Sequence, residues 1–330
     1  MKHEISILAF TQRGADLANR LGAALDGEVS RAGADGVSLS DWTRDNFPHR
    51  RALVFVGAAG IAVRAVAPYL KSKTTDPAVV VVDELGRFVI PLVSGHLGGA
   101  NELALRIANE LGATPVITTA TDVNGVFAVD LWAKRQGMTV LQPERIKRVS
   151  AKLLAGDPAA VWSPWAIAGT PPENVISGQP ADVIADVRAA TGEALQLVPR
   201  VLTLGIGCRK GTEPAQLEAA LRRFCSERGV LPEAIRSAAS IDVKREEPGL
   251  LAFCKTHGWA ITFFSADTLA AAQGDFTASD FVRRTVGVDN VCERSACLCS
   301  GGTLFEKKYA ADGVTLALAI TPPQLDWRWQ

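Results

Sequence analysis

Short apolar runs alternate with helix-periodic segments along nearly the whole chain, and glycines gather at the corners between them. This alternation implies an α/β protein with a mainly parallel sheet, because parallel strands need a crossover between them, usually a helix. ISILAF (5–10) leads into GADLANRLGAAL, where Leu17, Leu21 and Leu25 share one helix face. ALVFVG (52–57) meets GIAVRAVAPYL, a helix interrupted at Pro68. VVVVD (79–83) turns at ELGR into FVIPLV, a hairpin that places Pro91 near an edge or an end, since proline has no N–H for a ladder. SGHLGGAN (94–101) opens the next helix, with Leu103, Ile107 and Leu111 on its buried face and Gly112 as its stop. PVITT (115–119) is a further strand.

The pattern changes at about residue 150. DPAAVWSPWAIAGTPPENVISGQPADV is rich in proline and glycine, and Trp162, Trp165, Val175 and Ile176 predict a small subdomain packed through aromatics. After Pro199 the alternation restarts with RVLTLGIGCRKGTEPAQLEAALRRFCSERG, where Leu217, Leu221 and Phe224 share a face and Thr212 is the expected N-cap. The expected fold is therefore α/β in three parts. Residues 1–128 form a three-layer domain with a mainly parallel sheet. Residues 129–198 form a small middle subdomain packed on it, and 199–330 a separate C-terminal α/β domain.

Bulk properties narrow the function classes. Lys plus Arg and Asp plus Glu each number 35, so the chain lacks the basic excess of a general nucleic-acid binder. No apolar run approaches the ~20 residues of a membrane span, and MKHEISILAF lacks the length and cleavage site of a signal peptide. A cytoplasmic location is expected. The six cysteines all lie in the second half without a CxxC pair, which favours thiols on packed helix faces over disulfides or a metal site.

Three strand-to-helix corners are glycine-rich: VGAAGIAVR (56–64), SGHLGGAN (94–101) and GIGCRKGT (205–212). Such corners offer backbone amides and the positive end of a helix to anions, and their glycines allow close approach. None reads GxxxxGK[ST], GxGxxG or GxSxG, so a nucleotide enzyme or a nucleophile-elbow hydrolase has no signature here. At SGHLGG, His96 serves either as a capping or core histidine or as a proton carrier beside a bound anion. TTATDVNG (118–125) is either a turn in which Asp122 or Asn124 caps the helix carrying Phe127 and Trp132, or a cluster of hydroxyls and a carboxylate facing the same cleft as His96. Arg64, Lys71, Lys73, Lys210 and Lys244 are solvated surface unless they line one cleft, where they suit a polycarboxylate. Cys208 sits where a helix N-terminus would lower a thiol pKa, but as a small buried residue it needs no such role.

Taken together, GAAGIAVRAVAPYLKSKTTDPAVVVVDELGRFVIPLVSGHLGGANELALRIANELGATPVITTATD resembles the N-terminal region of the CbiG family. LGIGCRKGT, SIDVKREEPGLL, FFSADTL and VGVDNVCERSA resemble its C-terminal domain, which is related to CobE. The resemblance spans almost the whole chain. It implies hydrolysis of cobalt-precorrin-5A in anaerobic cobalamin biosynthesis: a ring A acetate δ-lactone is opened, and the methylated bridging carbon leaves as acetaldehyde. Cobalt arrives inside the tetrapyrrole substrate, so no cofactor is expected.

On that resemblance, His96 and Asp122 are the expected catalytic pair. His96 activates water or shuttles the fragmentation proton, and Asp122 orients it or serves as partner acid. The N–H groups of Gly98 and Gly99 hold an oxyanion or a substrate carboxylate. Arg64, Lys73, Ser94, Gly95, Asn101, Thr119 and Thr121 bind substrate, and Gly207, Lys210 and Lys244 bring the C-terminal domain over the macrocycle. Neighbouring cobalamin-pathway enzymes and a second copy of the chain are the candidate protein partners, with CERSACLCS and DWRWQ serving as interface or as core. A non-catalytic tetrapyrrole carrier is the competing reading.

Overall fold

The computed structural model describes residues 3–34, 36–72 and 75–329. The chain separates into two compact units, 1–131 and 132–330.

In the first unit the elements are β1 (Ile5–Ala9), α1 (Gln12–Leu25), β2 (Gly27–Arg31), α2 (Leu39–Asn46), β3 (Ala52–Val56), α3 (Ala59–Val66), β4 (Ala78–Val82), β5 (Phe88–Val93), α4 (Ala100–Leu111), β6 (Thr114–Pro115) and α5 (Ala120–Val123). The helix α6 (Val129–Arg135) carries the division between the units. The sheet order is β2-β1-β3-β4-β5-β6, parallel throughout except for the β4–β5 hairpin.

Strand alternation makes the three layers. Ile7, Val54 and Val80 face one core with Leu17 and Leu21 of α1 and Ile107 of α4. Leu8, Leu53, Phe55, Val79 and Val81 face the other, with Trp42 of α2 and Val66 of α3. Each such side chain taken from water contributes about 1.5–3 kcal/mol, which fixes the register because a one-residue slip would turn both faces over. Asp83 shapes the hairpin by accepting the N–H groups of Leu85, Arg87 and Phe88 at 3.1, 2.7 and 2.5 Å. Pro91 pairs at a register shift, on a stretch of β5 that β6 does not cover, as its missing N–H requires.

The second unit contains β7 (Met138–Val140), α7 (Ile146–Leu154), β8 (Ala159–Trp162), β9 (Ile167–Ala168), β10 (Val175–Ser177), β11 (Val183–Ala185) and β12 (Leu195–Pro199). These are followed by β13 (Leu202–Cys208), α8 (Pro214–Arg228), β14 (Ile235–Ile241), α9 (Pro248–Thr256), β15 (Ala260–Phe264) and α10 (Ala266–Ala271). The chain closes with α11 (Asp280–Val286), α12 (Cys292–Ser300), β16 (Thr303–Ala311), β17 (Val314–Ile320) and β18 (Leu325–Asp326). Two five-stranded sheets result, β10-β8-β11-β12-β7 and β15-β14-β13-β17-β16.

Three expectations change here. The middle segment groups with the C-terminal part rather than with residues 1–131, because Val187 and Val198 enter the same core as Leu204, Ile206 and Phe224. Its sheet packs through aliphatic strands, with Ala159, Val161, Val183, Leu195 and Leu197 buried, whereas Ile176 is 52% exposed. Thr212 donates its hydroxyl to the Arg209 carbonyl, and α8 is capped instead by Glu213 in a reciprocal box with Gln216. CERSACLCS is α12, largely buried, and Trp327 of the tail stacks on Trp132 at 5.6 Å, so both segments serve as core. Among the described residues no helix is long and apolar enough to cross a membrane.

Candidate active site

The corner after β5 folds back on itself. Ser94 takes a left-handed conformation (φ 59°) and donates its hydroxyl to the Asp76 carbonyl at 2.9 Å. The carbonyls of Ser94, Gly95 and His96 accept the N–H groups of Ala100, Asn101 and Gly99 at 3.0–3.1 Å. A Cβ on Gly95 would lie 2.8 Å from the Asn101 Oδ1, and one on Gly98 only 2.3 Å from the Ser94 Cβ. These two glycines are required by the loop's own packing. The Gly99 N–H, expected to hold an oxyanion, is already engaged by His96, and Gly99 itself (φ 86°) is the residue from which α4 starts.

This fold-back aims His96 at two carboxylates. Its Nε2 lies 2.9 Å from Asp122 Oδ2, and its Nδ1 lies 3.1 and 3.2 Å from the two oxygens of Asp130. The imidazole and Asp130 side chains are each 10% exposed, and Asp122 is 23% exposed. A hydrogen bond from the ring to each of two ionised carboxylates requires an imidazolium, which donates from both nitrogens. Burial alone would push His96 down, but the hydrogen bonds and charges of Asp130 and then Asp122 outweigh it, and its pKa is raised. Asn101 completes the set, donating its Nδ2 to Asp122 Oδ2 at 2.8 Å and to Thr119 Oγ1 at 3.0 Å.

Asp122 therefore turns inward rather than capping a helix, and Asn124 ends α5 rather than starting α6. Both acceptances fall on Oδ2, so Oδ1 has no protein donor among the described residues. Thr121 is 6% exposed, and its buried hydroxyl has no hydrogen-bond partner among the described residues. Asp130 was not legible as a site residue: it opens α6 in VFAVDLWA, past the boundary expected at 128/129. The available signal was a lone acid in an apolar stretch, since such an acid is buried only with a partner.

The other expected residues disperse. Arg64 is exposed on α3, and Lys73 lies outside the described residues. Gly207, Lys210 and Lys244 belong to the second unit, where Lys244 is paired with Glu247 at 3.1 Å. Burial pushes the Cys208 thiol up, opposed by the charge of Lys244, so the activated-thiol reading of that corner falls. Among the described residues no three His, Cys, Asp or Glu side chains are arranged to hold a metal ion.

Three family models match in succession: Cobalamin synthesis G N-terminal over residues 41–122, the Cobalamin biosynthesis central region over 127–206, and Cobalamin synthesis G C-terminus over 202–319. The chain belongs to the CbiG family. The cobalt-precorrin-5A hydrolase of Salmonella typhimurium is 35% identical over 96% of this chain and 97% of its own. That of Priestia megaterium is 32% identical over 84% and 80%. The protein CobE of a Sinorhizobium species is 31% identical over 36% of this chain and 79% of its own. His96 and Asp122 fall within the segment that matches the N-terminal CbiG model, whereas Asp130 falls within the central region. The three-residue set thus draws on two successive CbiG segments.

Proposed function

We propose that the chain is a cobalt-precorrin-5A hydrolase, opening the ring A acetate δ-lactone of its cobalt tetrapyrrole substrate and releasing acetaldehyde to give cobalt-precorrin-5B. The observation that carries the chemistry is the Asp122–His96–Asp130 line, a proton relay with its more exposed carboxylate at one end.

In its deprotonated form the relay is a base. Water attacks the lactone carbonyl and its proton passes to Asp122 and on to His96, whose imidazolium Asp130 stabilises and orients. Asn101 holds Asp122 in place from the side. The tetrahedral intermediate collapses by breaking the ring C–O bond, which leaves the oxygen on the methylated bridging carbon. That oxygen's electron pair becomes the carbonyl of acetaldehyde as the C–C bond to the macrocycle breaks. The bond pair stays on the macrocycle and takes up the proton returned by the relay. One water is consumed overall, and no redox step or protein-held cofactor is needed, since cobalt is part of the substrate. Asp122 is thus the group nearest the reacting water and His96 stands behind it, the reverse of the order that the glycine corner suggested. A cytoplasmic setting, among neighbouring enzymes of the same pathway, fits a substrate made and consumed there.

The test is anaerobic incubation with cobalt-precorrin-5A and trapping of the aldehyde. Acetaldehyde formed in step with loss of the lactone is expected. Tight binding without aldehyde would replace the hydrolase with a carrier.

A further inference from the structure

The fold-back that aims His96 pivots on Ser94, and Ser94 is held from outside its own loop. Strand β5 reaches it through a bulge: Val80 pairs with Pro91 and Val79 with Val93, leaving Leu92 without a partner in the ladder. A bulge bends its strand and re-aims the residues that follow. Two residues further on, Ser94 stands in the left-handed region (φ 59°), which a residue with a Cβ keeps only when its surroundings impose it.

Three contacts meet at Ser94. Its carbonyl accepts the Ala100 N–H at 3.1 Å, Gly98 packs against its Cβ, and its hydroxyl donates to the Asp76 carbonyl at 2.9 Å. The first two belong to the loop and would move with it. The third fastens the loop to a residue 18 positions earlier in the chain.

Asp76 has the features of a fixed point. It is buried, and Pro77 after it restricts its backbone to extended conformations. Its carboxylate accepts the N–H groups of Lys71 at 2.9 Å and Ser72 at 3.0 Å, and its own N–H donates to the Ser72 carbonyl at 2.9 Å. The side chain thus closes a turn on the backbone just before it, through hydrogen bonds that its charge strengthens. Asp76 precedes β4 and Ser94 follows β5, so the two lie at the open end of that hairpin. Their bond closes it beyond the last ladder pair, Val79 with Val93.

We propose that Asp76 and Ser94 are positioning residues for the relay. The turn closed by the Asp76 carboxylate presents the carbonyl that anchors Ser94, and Ser94 sets the direction of His96 toward Asp122 and Asp130. The proposal rests on the hydrolase reading for the reaction it serves, but the placement of His96 is measurable without turnover. Ser94, expected to bind substrate, acts here through His96, with its hydroxyl engaged inside the protein.

The test follows the four histidines of the full chain by NMR through a pH titration, with H96Q assigning His96. In the unmodified chain His96 titrates above its ordinary value, because Asp130 and Asp122 favour its charged form. S94G removes the hydroxyl but accepts a φ of 59° without strain, so its effect reports the lost anchor and not a lost backbone conformation. It is expected to lower the His96 pKa and to slow single-turnover acetaldehyde release about 10–10²-fold with KM nearly unchanged, the effect of a small misplacement. D76A, which opens the turn, should move both in the same direction. Circular dichroism confirms that each variant is folded. A folded S94G in which His96 titrates as in the unmodified chain overturns the proposal, even if that variant is less stable. Absence of acetaldehyde from the unmodified chain, with His96 still moved by S94G, would instead sink the hydrolase reading and leave the anchor standing.

Discussion

The corners SGHLGG and GIGCRKGT have the same plan, a strand ending in glycines before a helix, yet they hold opposite chemistry. The first delivers an imidazole between two carboxylates, with its pKa raised. The second delivers a thiol whose pKa is raised by burial, beside a neutralised lysine and three cations, Arg209, Lys210 and Lys308, without an ion-pair partner among the described residues. Neither spells its chemistry in its own residues. In the first corner Asp122 and Asp130 arrive from later segments, and in the second Glu247 and Lys308 do. The glycines have a common purpose in both, close packing: Gly98 against Ser94, Gly205 at 1.7 Å (as a Cβ) from the Cys292 carbonyl, and Gly207 against Thr315. A glycine corner therefore marks where backbone crowds backbone, and the segments packed around it decide what it binds.

The largest effect that would break this comparison is on turnover. D122N keeps the hydrogen-bonding shape but removes the base, so kcat should fall by about 10²–10⁴ with substrate binding nearly unchanged. Single-turnover acetaldehyde release measures it. A variant retaining wild-type kcat would place the chemistry elsewhere.

A smaller effect concerns the glycines. G98A forces a Cβ to 2.3 Å from Ser94 Cβ and 2.8 Å from its carbonyl, atoms the fold-back cannot move cheaply. It should cost about 1–3 kcal/mol in denaturant unfolding. G207A meets the Thr315 hydroxyl at 2.5 Å, which can rotate, and should cost less. The reverse order would show that the second corner is the more constrained of the two.

The smallest effect is a shift in pH dependence. Activity should rise with pH as His96 loses its proton, with a midpoint above the ordinary ~6.5 of histidine. D130N removes one of the two carboxylates that oppose burial, so the limb should move to lower pH while the folded structure persists. An unmoved limb would assign the titration to another group. Stability runs the other way, because a raised folded pKa means that His96 stabilises fully below ~6.5 and loses that contribution as pH rises through the folded value. Hydrogen exchange in α4 at rising pH should show the loss in the unmodified chain and not in H96Q.

Much of the fold is written locally. The alternation of strand and helix periods, Leu17, Leu21 and Leu25 on α1, Gly112 ending α4 and the hairpin at Pro91 all follow from side-chain period and backbone propensity, which act within a few residues. The family was likewise legible, because its motifs run in order along the chain. His96 and Asp122 stood out as a polar pair at neighbouring strand ends. What the chain order could not carry was their geometry. Asp130 lies 34 residues beyond His96, across an expected domain boundary, and whether Asp122 caps a helix or faces the imidazole depends on a loop folding over Ser94. Likewise Lys210 and Lys244 read alike in sequence, but only packing pairs Lys244 with Glu247 and leaves Lys210 unpaired. Local pattern determines which elements form. Charge pairing and proton affinity depend on distances of a few ångströms between distant segments, and only the tertiary structure sets those.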